Sequence, residues 1–458
     1  MHSSIDTQRP SADALSDIAG RVIAPDDSAY DDARRVFYGS VDKRPGLIAR
    51  VSSVADVQLV IAAARDGGYE LAVRSGGHST AGHSTTDGGI VLDLRGMAKI
   101  DIDPADRTAW VETGATALQV TEAAAKHGLV VGFGDSGSVG VGGITLNGGI
   151  GFLTRKLGLT IDSVLAAEVV TADGQHLHVD ADRHPDLFWA IRGGGGNFGV
   201  VTRIRFRLHP LPQFTGGLLV LPATPETIAG FVAASLAAPE ELSTIGNVMP
   251  APPMPFLPPE AHGRLVIIGM MAYAGDSAGA ERALAPFRAL ATPVADLVKE
   301  QPYSAMYPPE DPNAHPTAIG RTLFIDDVDQ PKAELMVDYL TKSDAAIRVA
   351  QLRVLSGAAA RVPADATAYA HRSKRILVNV AAFYTGPEDR VVRTEWVKEF
   401  AHAVQPNDHG AYVGFLGDEG AARVRSAYPG ETWDRLARVK AEYDPTNLFR
   451  LNQNITPH

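Results

Sequence analysis

The sequence predicts a two-domain α+β protein, and three observations carry that expectation. Glycine-rich turns at residues 74–79 and 140–151 sit among alternating strand and helix patterns in the first 210 residues. The texture changes at His209-Pro210-Leu211-Pro212, a stretch suited to a domain boundary. Beyond it, strand-like and helical stretches alternate in the manner of an antiparallel sheet backed by helices. A chain of 458 residues is long enough for two or three domains with a large core.

In chain order, Ser53 opens a helical pattern with Val54, Val57, Val60, Ile61 and Ala64 on one face, closed by Asp66-Gly67-Gly68. Glu70 to Val73 reads as a strand that delivers the Arg74–Ser79 turn, and Gly89 to Leu94 as a second strand. A helix is expected over about Thr116 to His127, with Gly128 placed to end it. Ile161–Ala172 and Val200–Leu208 read as strands. In the latter, Thr202, Ile204, Phe206 and Leu208 face one way, and Arg203, Arg205 and Arg207 form an expected solvated face. Past residue 212, strands are expected at Gly217–Leu221, Leu242–Met249, Arg264–Ala274, Val349–Leu355 and Ile376–Tyr384, and helices at Glu226–Ala237 and Ala278–Ala291. The six prolines between Pro250 and Pro259 exclude regular structure and predict a stiff loop, a candidate pocket edge. A polar turn near Pro406-Asn407-Asp408 leads into a last segment, Tyr412 to Asn454.

The glycine turns say what the first domain holds. Glycine lets backbone approach a ligand closely and leaves N–H groups free to point at an anion. Arg74-Ser75-Gly76-Gly77-His78-Ser79 and Gly140 to Gly151 therefore suggest a dinucleotide held by main chain, with the His78 imidazole beside its reactive end. The order strand, G-x-G-x-x-G, helix is not completed at Gly140, at Gly149 or in the run Arg192 to Gly199, and no G-K-[ST] is present. A nicotinamide Rossmann domain and a nucleotide P-loop are both disfavoured.

Composition narrows the chemistry further. The formal charge of −11 argues against a nucleic-acid partner. No apolar run approaches the roughly 18 residues that span a bilayer, so no membrane association is expected. The first ten residues lack the basic-then-apolar order of a signal peptide, which sets the expectation of a cytoplasmic protein. The chain has no cysteine, so disulfides, thiolate nucleophiles and cysteine-ligated metal or iron–sulfur sites are excluded. No metal is expected, and redox chemistry must reside in an organic cofactor.

The constellation of Arg74–Ser79, Gly88–Arg95, Val139–Thr154, Gly193–Thr202 and Tyr443–Ile455 closely resembles the FAD-linked oxidases of the vanillyl-alcohol-oxidase fold, in their berberine-bridge-enzyme-like branch. The resemblance is dense over 45–210 and 440–456 and diffuse between 213 and 406. It implies a PCMH-type FAD-binding domain from residues 1–212, completed by a C-terminal segment, 407–458, with a substrate domain inserted at 213–406. It also implies FAD bound covalently through the His78 imidazole. Backbone amides of Ser75, Gly76, Gly77 and Ser79 would hold the diphosphate, and Arg74 is a further cofactor-binding candidate. Ser136, Gly137, Ser138, Gly140, Gly143, Asn147 and Gly151 would pass along the diphosphate and ring system. Val200 would meet the adenine end by main chain, and Asn452 and Asn454 would close the site. Many relatives add a second, cysteinyl link; that position here is Ser136, so a single attachment is expected.

The resemblance implies hydride transfer from a small amine or secondary-metabolite-like substrate, with O2 as acceptor and hydrogen peroxide as product. A monomer or homodimer is expected. Relatives that oxidise alcohols often carry Tyr-x-Asn-Tyr, whose second tyrosine is a base; here the stretch is Tyr412-Val413-Gly414-Phe415. Tyr412, His83 or a residue of the central sheet replaces that base, or the substrate needs none. By period two, Gln351 and Arg353 share a strand face, and with Asn379 they are candidates to face a pocket. His371 and the aromatics Trp189, Phe383 and Tyr384 are given structural roles. Alcohol or sugar oxidation, electron transfer to a partner protein, a redox-neutral cyclase and a non-catalytic flavin protein remain as alternatives.

Overall fold

The computed structural model describes residues 10–311, 313–407 and 410–457. The first nine residues of the expected leaderless start, and Asp408 of the polar turn, lie outside them. Three of the four sheets among the described residues organise the chain, the fourth being a two-stranded pair of Leu129–Val130 with His209–Pro210. The first has the order Arg21–Ile23, Leu47–Arg50, Ile90–Asp93, Leu71–Arg74, the last three strands running parallel. Helix Val54–Gly67 covers it, started by the Ser53 hydroxyl accepting from the Asp56 amide and stopped at Gly68. Val57, Val60, Ile61 and Ala64 are wholly buried, as the 3.6-residue period requires.

The second sheet is antiparallel, in the order Ile100–Asp103, Thr108–Glu112, Val200–Arg207, Val164–Val170, His176–Val179. Thr202, Ile204 and Phe206 point into the core. The opposite face is less solvated than expected, because Arg203 pairs with Glu168 and lies over the Trp110 ring. Two predicted elements are shorter. The helix after Thr116 ends at Ala125, and the strand expected from Ile161 begins at Val164 after a 3₁₀ turn over Thr160–Ser163.

The third sheet is the largest, and its strands all fall between Thr215 and Phe383. Its order is Ala295–Asp296, Thr215–Pro222, Leu265–Tyr273, Leu242–Pro250, Arg348–Val354, Ile376–Phe383, Ala318–Ile325, with Lys299–Glu300 also pairing on the second of these. Every pairing in it is antiparallel. Helices Pro225–Ala237, Ser277–Arg288, Gln330–Lys342 and Pro387–Val404 bury one face around Phe231, Phe287, Met336 and Phe400. Alternation then sends Leu352, Val378 and Val380 into that core and leaves Gln351, Arg353 and Asn379 on the opposite face. The proline loop is not a pocket edge. It folds onto its own apolar cluster of Val220, Ala251, Leu257, Val266 and Ile268.

The C-terminal segment carries helices Ala421–Ala427 and Glu431–Tyr443 and is pinned from inside. Lys440, fully buried, donates to Asp444 and to the Asn197 and Phe449 carbonyls, and Asp444 accepts the Leu448 and Phe449 amides. A buried charge is tolerable only with such complete pairing.

Candidate active site

A cavity of about 880 Å³ opens between the two smaller sheets and the bare face of the large one. That is the size of a cofactor or substrate cleft. On its first wall, the strand Leu71–Arg74 releases the turn holding His78, and Gly77 adopts φ +77°, a conformation that favours glycine. Gly76 packs directly on Gly140, so that a β-carbon on either would strike the other's backbone. Gly140 begins a short helix, Val141–Leu146. Gly143, by contrast, has open cleft where a side chain would go.

This wall is short of hydrogen-bond partners in a telling way. The amides of Gly76, Gly77, His78 and Ser79 donate to no acceptor among the described residues. The buried Oδ1 of Asn452 likewise lacks a donor. Consecutive free amides are an anion-binding feature, and buried polar atoms are ordinarily paired. The residues present therefore fit a dinucleotide diphosphate and a polar ring system.

His78 stacks on Phe37, with ring centres 4.2 Å apart and planes 21° from parallel. Its Nε2 lies 2.8 Å from Ser138 Oγ. Ser136 and Ser138 both donate to the Glu310 carboxylate, which reaches in from the loop before the Ala318–Ile325 strand. Burial lowers the His78 pKa; Glu310 and the Ser138 backbone oppose that shift.

The second wall is the sheet face. Gln351 sits opposite Asn247 on one neighbouring strand and Asn379 on the other. Its amide donates to Asn247 Oδ1 at 2.8 Å and its oxygen accepts from Arg353 Nε at 2.9 Å. Arg353, 4% exposed, reaches across to Asp135 at 2.6 Å and lies over the Phe415 ring. Tyr384, buried as expected, also lines the cleft.

Tyr412 to Phe415 connects the two walls as a 3₁₀ turn, so strand alternation does not set which way these side chains point. The Tyr412 phenol is buried, accepts from the Gly149 amide at 3.1 Å and is pushed up to about 12, chiefly by burial. His83 lines the cleft with its pKa lowered to about 4 by burial, with Lys43 adding to the shift, and its buried Nε2 has no partner. Asp135, which also lines the cleft, is tied to Arg353.

Most of the expected site residues converge here: Ser75, Gly76, Gly77, His78, Ser79, Ser136, Gly140, Gly143, Asn147 and Asn452 line the cleft, as do all five catalytic candidates. Five others do not. Arg74 turns its guanidinium inward to the carbonyls of Ala33, Arg34 and Ser84. Gly137 packs on Leu118 and Tyr307, and Gly151 lies against the Phe133 carbonyl, leaving no room for a side chain. The Val200 side chain is fully buried while Val201 lines the cleft, and Gln453 lines it where Asn454 does not. Ser138 reaches the site through its bond to His78. Not anticipated are Phe37, Asp135, Asn247 and Glu310. Asp135 stands between Gly134 and Ser136 of a glycine-rich stretch, the only local signal among the four. His371 has the structural place expected, bonded to the Ser426 carbonyl.

Comparison with known proteins agrees with this geometry. A family model described as an FAD binding domain matches residues 45–180, and one described as berberine and berberine like matches 411–456. The chain is 34% identical to (R)-6-hydroxynicotine oxidase of Paenarthrobacter nicotinovorans, over 96% of this chain and 97% of the relative. It is 27% identical to a xylooligosaccharide oxidase of Thermothelomyces thermophilus, over 90% of this chain and 87% of that one. The crystal structure of 6-hydroxy-D-nicotine oxidase from Arthrobacter nicotinovorans superposes with a TM-score of 0.86 at 31% identity, covering 96% of this chain and 98% of the other.

Proposed function

This chain belongs to the FAD-linked oxidoreductases of the berberine-bridge-enzyme-like branch, and from that premise we propose that it is an oxidase of small amines or amine-bearing secondary metabolites, with FAD held by a single covalent bond to His78. The flavin supplies the hydride acceptor and hands the electrons to dioxygen, giving hydrogen peroxide.

The observation that carries the amine reading is that Tyr412, His83 and Asp135 are each unsuited to act as a base. An alcohol normally loses its proton as hydride leaves, which calls for a group with a pKa near the working pH. Tyr412 is held protonated, His83 is a weakly basic neutral imidazole, and Asp135 is neutralised by Arg353. An amine that arrives unprotonated needs none of them. Tyr412, with its oxygen already accepting from Gly149, keeps its O–H free to orient a substrate acceptor. Gln351, Arg353 and Asn379 are proposed to hold the substrate's polar end.

The covalent bond has support in the His78 environment: burial disfavours the imidazolium, so a nitrogen lone pair is available near neutral pH. Ser136 cannot form a thioether, and no cysteine exists to do so.

The test is a screen of amines, alcohols and sugars for peroxide release, run beside anaerobic bleaching of the flavin. Amines should turn over best, with kcat/KM rising with pH through the free substrate's pKa. Preferential turnover of sugars or primary alcohols overturns the amine reading. Bleaching by substrate without recovery in air would make the protein a dehydrogenase.

A further inference from the structure

We propose that Glu310 and Ser138 form a relay that fixes the tautomer of His78, holding the ring proton on Nε2 so that Nδ1 is the nitrogen that bonds the flavin. This rests on the covalent attachment proposed above and adds the two residues that direct it.

The argument is one of donors and acceptors. An ionised carboxylate can only accept, so both serine hydroxyls must point their protons at Glu310: Ser136 at Oε1, 2.8 Å away, and Ser138 at Oε2. Ser138 then has only oxygen lone pairs left to offer His78 Nε2, 2.8 Å away. That contact is a hydrogen bond only if Nε2 carries the proton. In a neutral imidazole the other nitrogen is then the lone-pair acceptor, its tautomer set by the bond its partner makes. Phe37 stacked on the ring face fixes the plane in which the Nδ1 lone pair lies. Burial keeps the ring neutral.

The same relay carries a proton when the bond forms. Nδ1 joins the 8α carbon of the flavin as one methyl C–H bond breaks, its proton leaving and its electron pair entering the ring system. The imidazole, made acidic by alkylation, gives its Nε2 proton to Ser138 as the Ser138 proton passes to Glu310. Dioxygen removes the electron pair from the ring system and takes up two protons, leaving as hydrogen peroxide. Ser138 touches His78 and Glu310 acts on it through Ser138, so both are positioning residues.

The test follows covalent incorporation after mixing flavin-free protein with FAD, scored by flavin that stays with acid-precipitated protein. The linkage position is then assigned by magnetic resonance of the isolated flavopeptide. Wild type should incorporate fully, through Nδ1. Glu310→Gln should slow incorporation by about tenfold or more, in the range of lost support to a functional histidine, while reversible FAD affinity stays within about twofold. Ser138→Ala should slow it further and yield a fraction linked through Nε2, and Ser138→Thr should restore rate and position. Glu310 is on an exposed loop, so its variant leaves the core intact and decides the matter even if the Ser138 variants fold poorly. Variants that incorporate at the wild-type rate, or a wild-type linkage through Nε2, overturn the relay alone. Wild type that releases all its flavin overturns the covalent attachment and the relay with it.

Discussion

On one side of the cleft the working groups belong to the backbone: the free amides of residues 76–79, the Gly76–Gly140 contact and the short helix that follows it. On the other side they belong to side chains: Asn247, Gln351, Arg353 and Asn379, spread over three adjacent strands. A backbone wall recognises what every flavin dinucleotide shares and needs glycine to do so. A side-chain wall can change its chemistry without disturbing the sheet, because alternation keeps Leu352, Val378 and Val380 in the core whatever faces the cleft. This teaches why motifs in the first wall identify a family while the second decides a substrate.

If the division is sound, substitutions should separate cofactor retention from turnover. The largest effect is expected for His78→Ala. Acid precipitation should leave all flavin in the supernatant, and a peptide map of the wild type should show one flavin-bearing peptide, containing His78. A second modified peptide would contradict single attachment.

Arg353→Gln comes next. It breaks the pair with Asp135 and strands a carboxylate against a largely covered wall, so kcat/KM should fall by roughly 10- to 100-fold. Flavin retention should not change. A parallel loss of flavin would mean that the two walls are not independent.

Tyr412→Phe tests the turn between the walls. With the phenol held near a pKa of about 12, its loss should cost less than about tenfold in kcat/KM. A loss of several hundredfold with binding intact would establish a tyrosinate base and return alcohols to consideration.

The smallest effect lies outside both walls. His371, 6% exposed, has its pKa lowered to about 4, chiefly by burial. A histidine kept neutral in the fold adds stability that is full above its unfolded pKa of about 6.5 and is lost as pH falls from there through its folded value. Wild type should therefore lose on the order of 2 kcal/mol more than His371→Gln between pH 7 and pH 4.5, read from denaturant midpoints at unchanged slope, with no effect on flavin attachment. Equal losses in the two proteins would show that another group governs acid sensitivity.

The part of the site visible in the sequence is the part that is local. The His78 turn and the 140–151 run carry their meaning within a few residues, because φ, close approach and free amides are properties of adjacent peptide units. Period two also placed Gln351, Arg353 and Asn379 on the open face, since the pleat fixes sidedness without knowledge of neighbours. The errors come from the same source. The Arg74 side chain stands beside motif residues but points away, a matter of orientation that proximity in sequence does not fix. The conformation of the Tyr412–Phe415 stretch, a 3₁₀ turn, is likewise set by tertiary context.

The sequence by itself thus determined the fold class, the dinucleotide cradle, the histidine beside it and the exclusion of sulfur chemistry. Only the tertiary structure decided how those groups are charged and aimed. Arg353 meets Asp135 across 218 positions, and Glu310 meets Ser138 across 172. The pKa values of His83 and Tyr412 are shifted mainly by burial. Desolvation and charge pairing depend on what packs around a group in space, and the chain folds distant segments together to supply it.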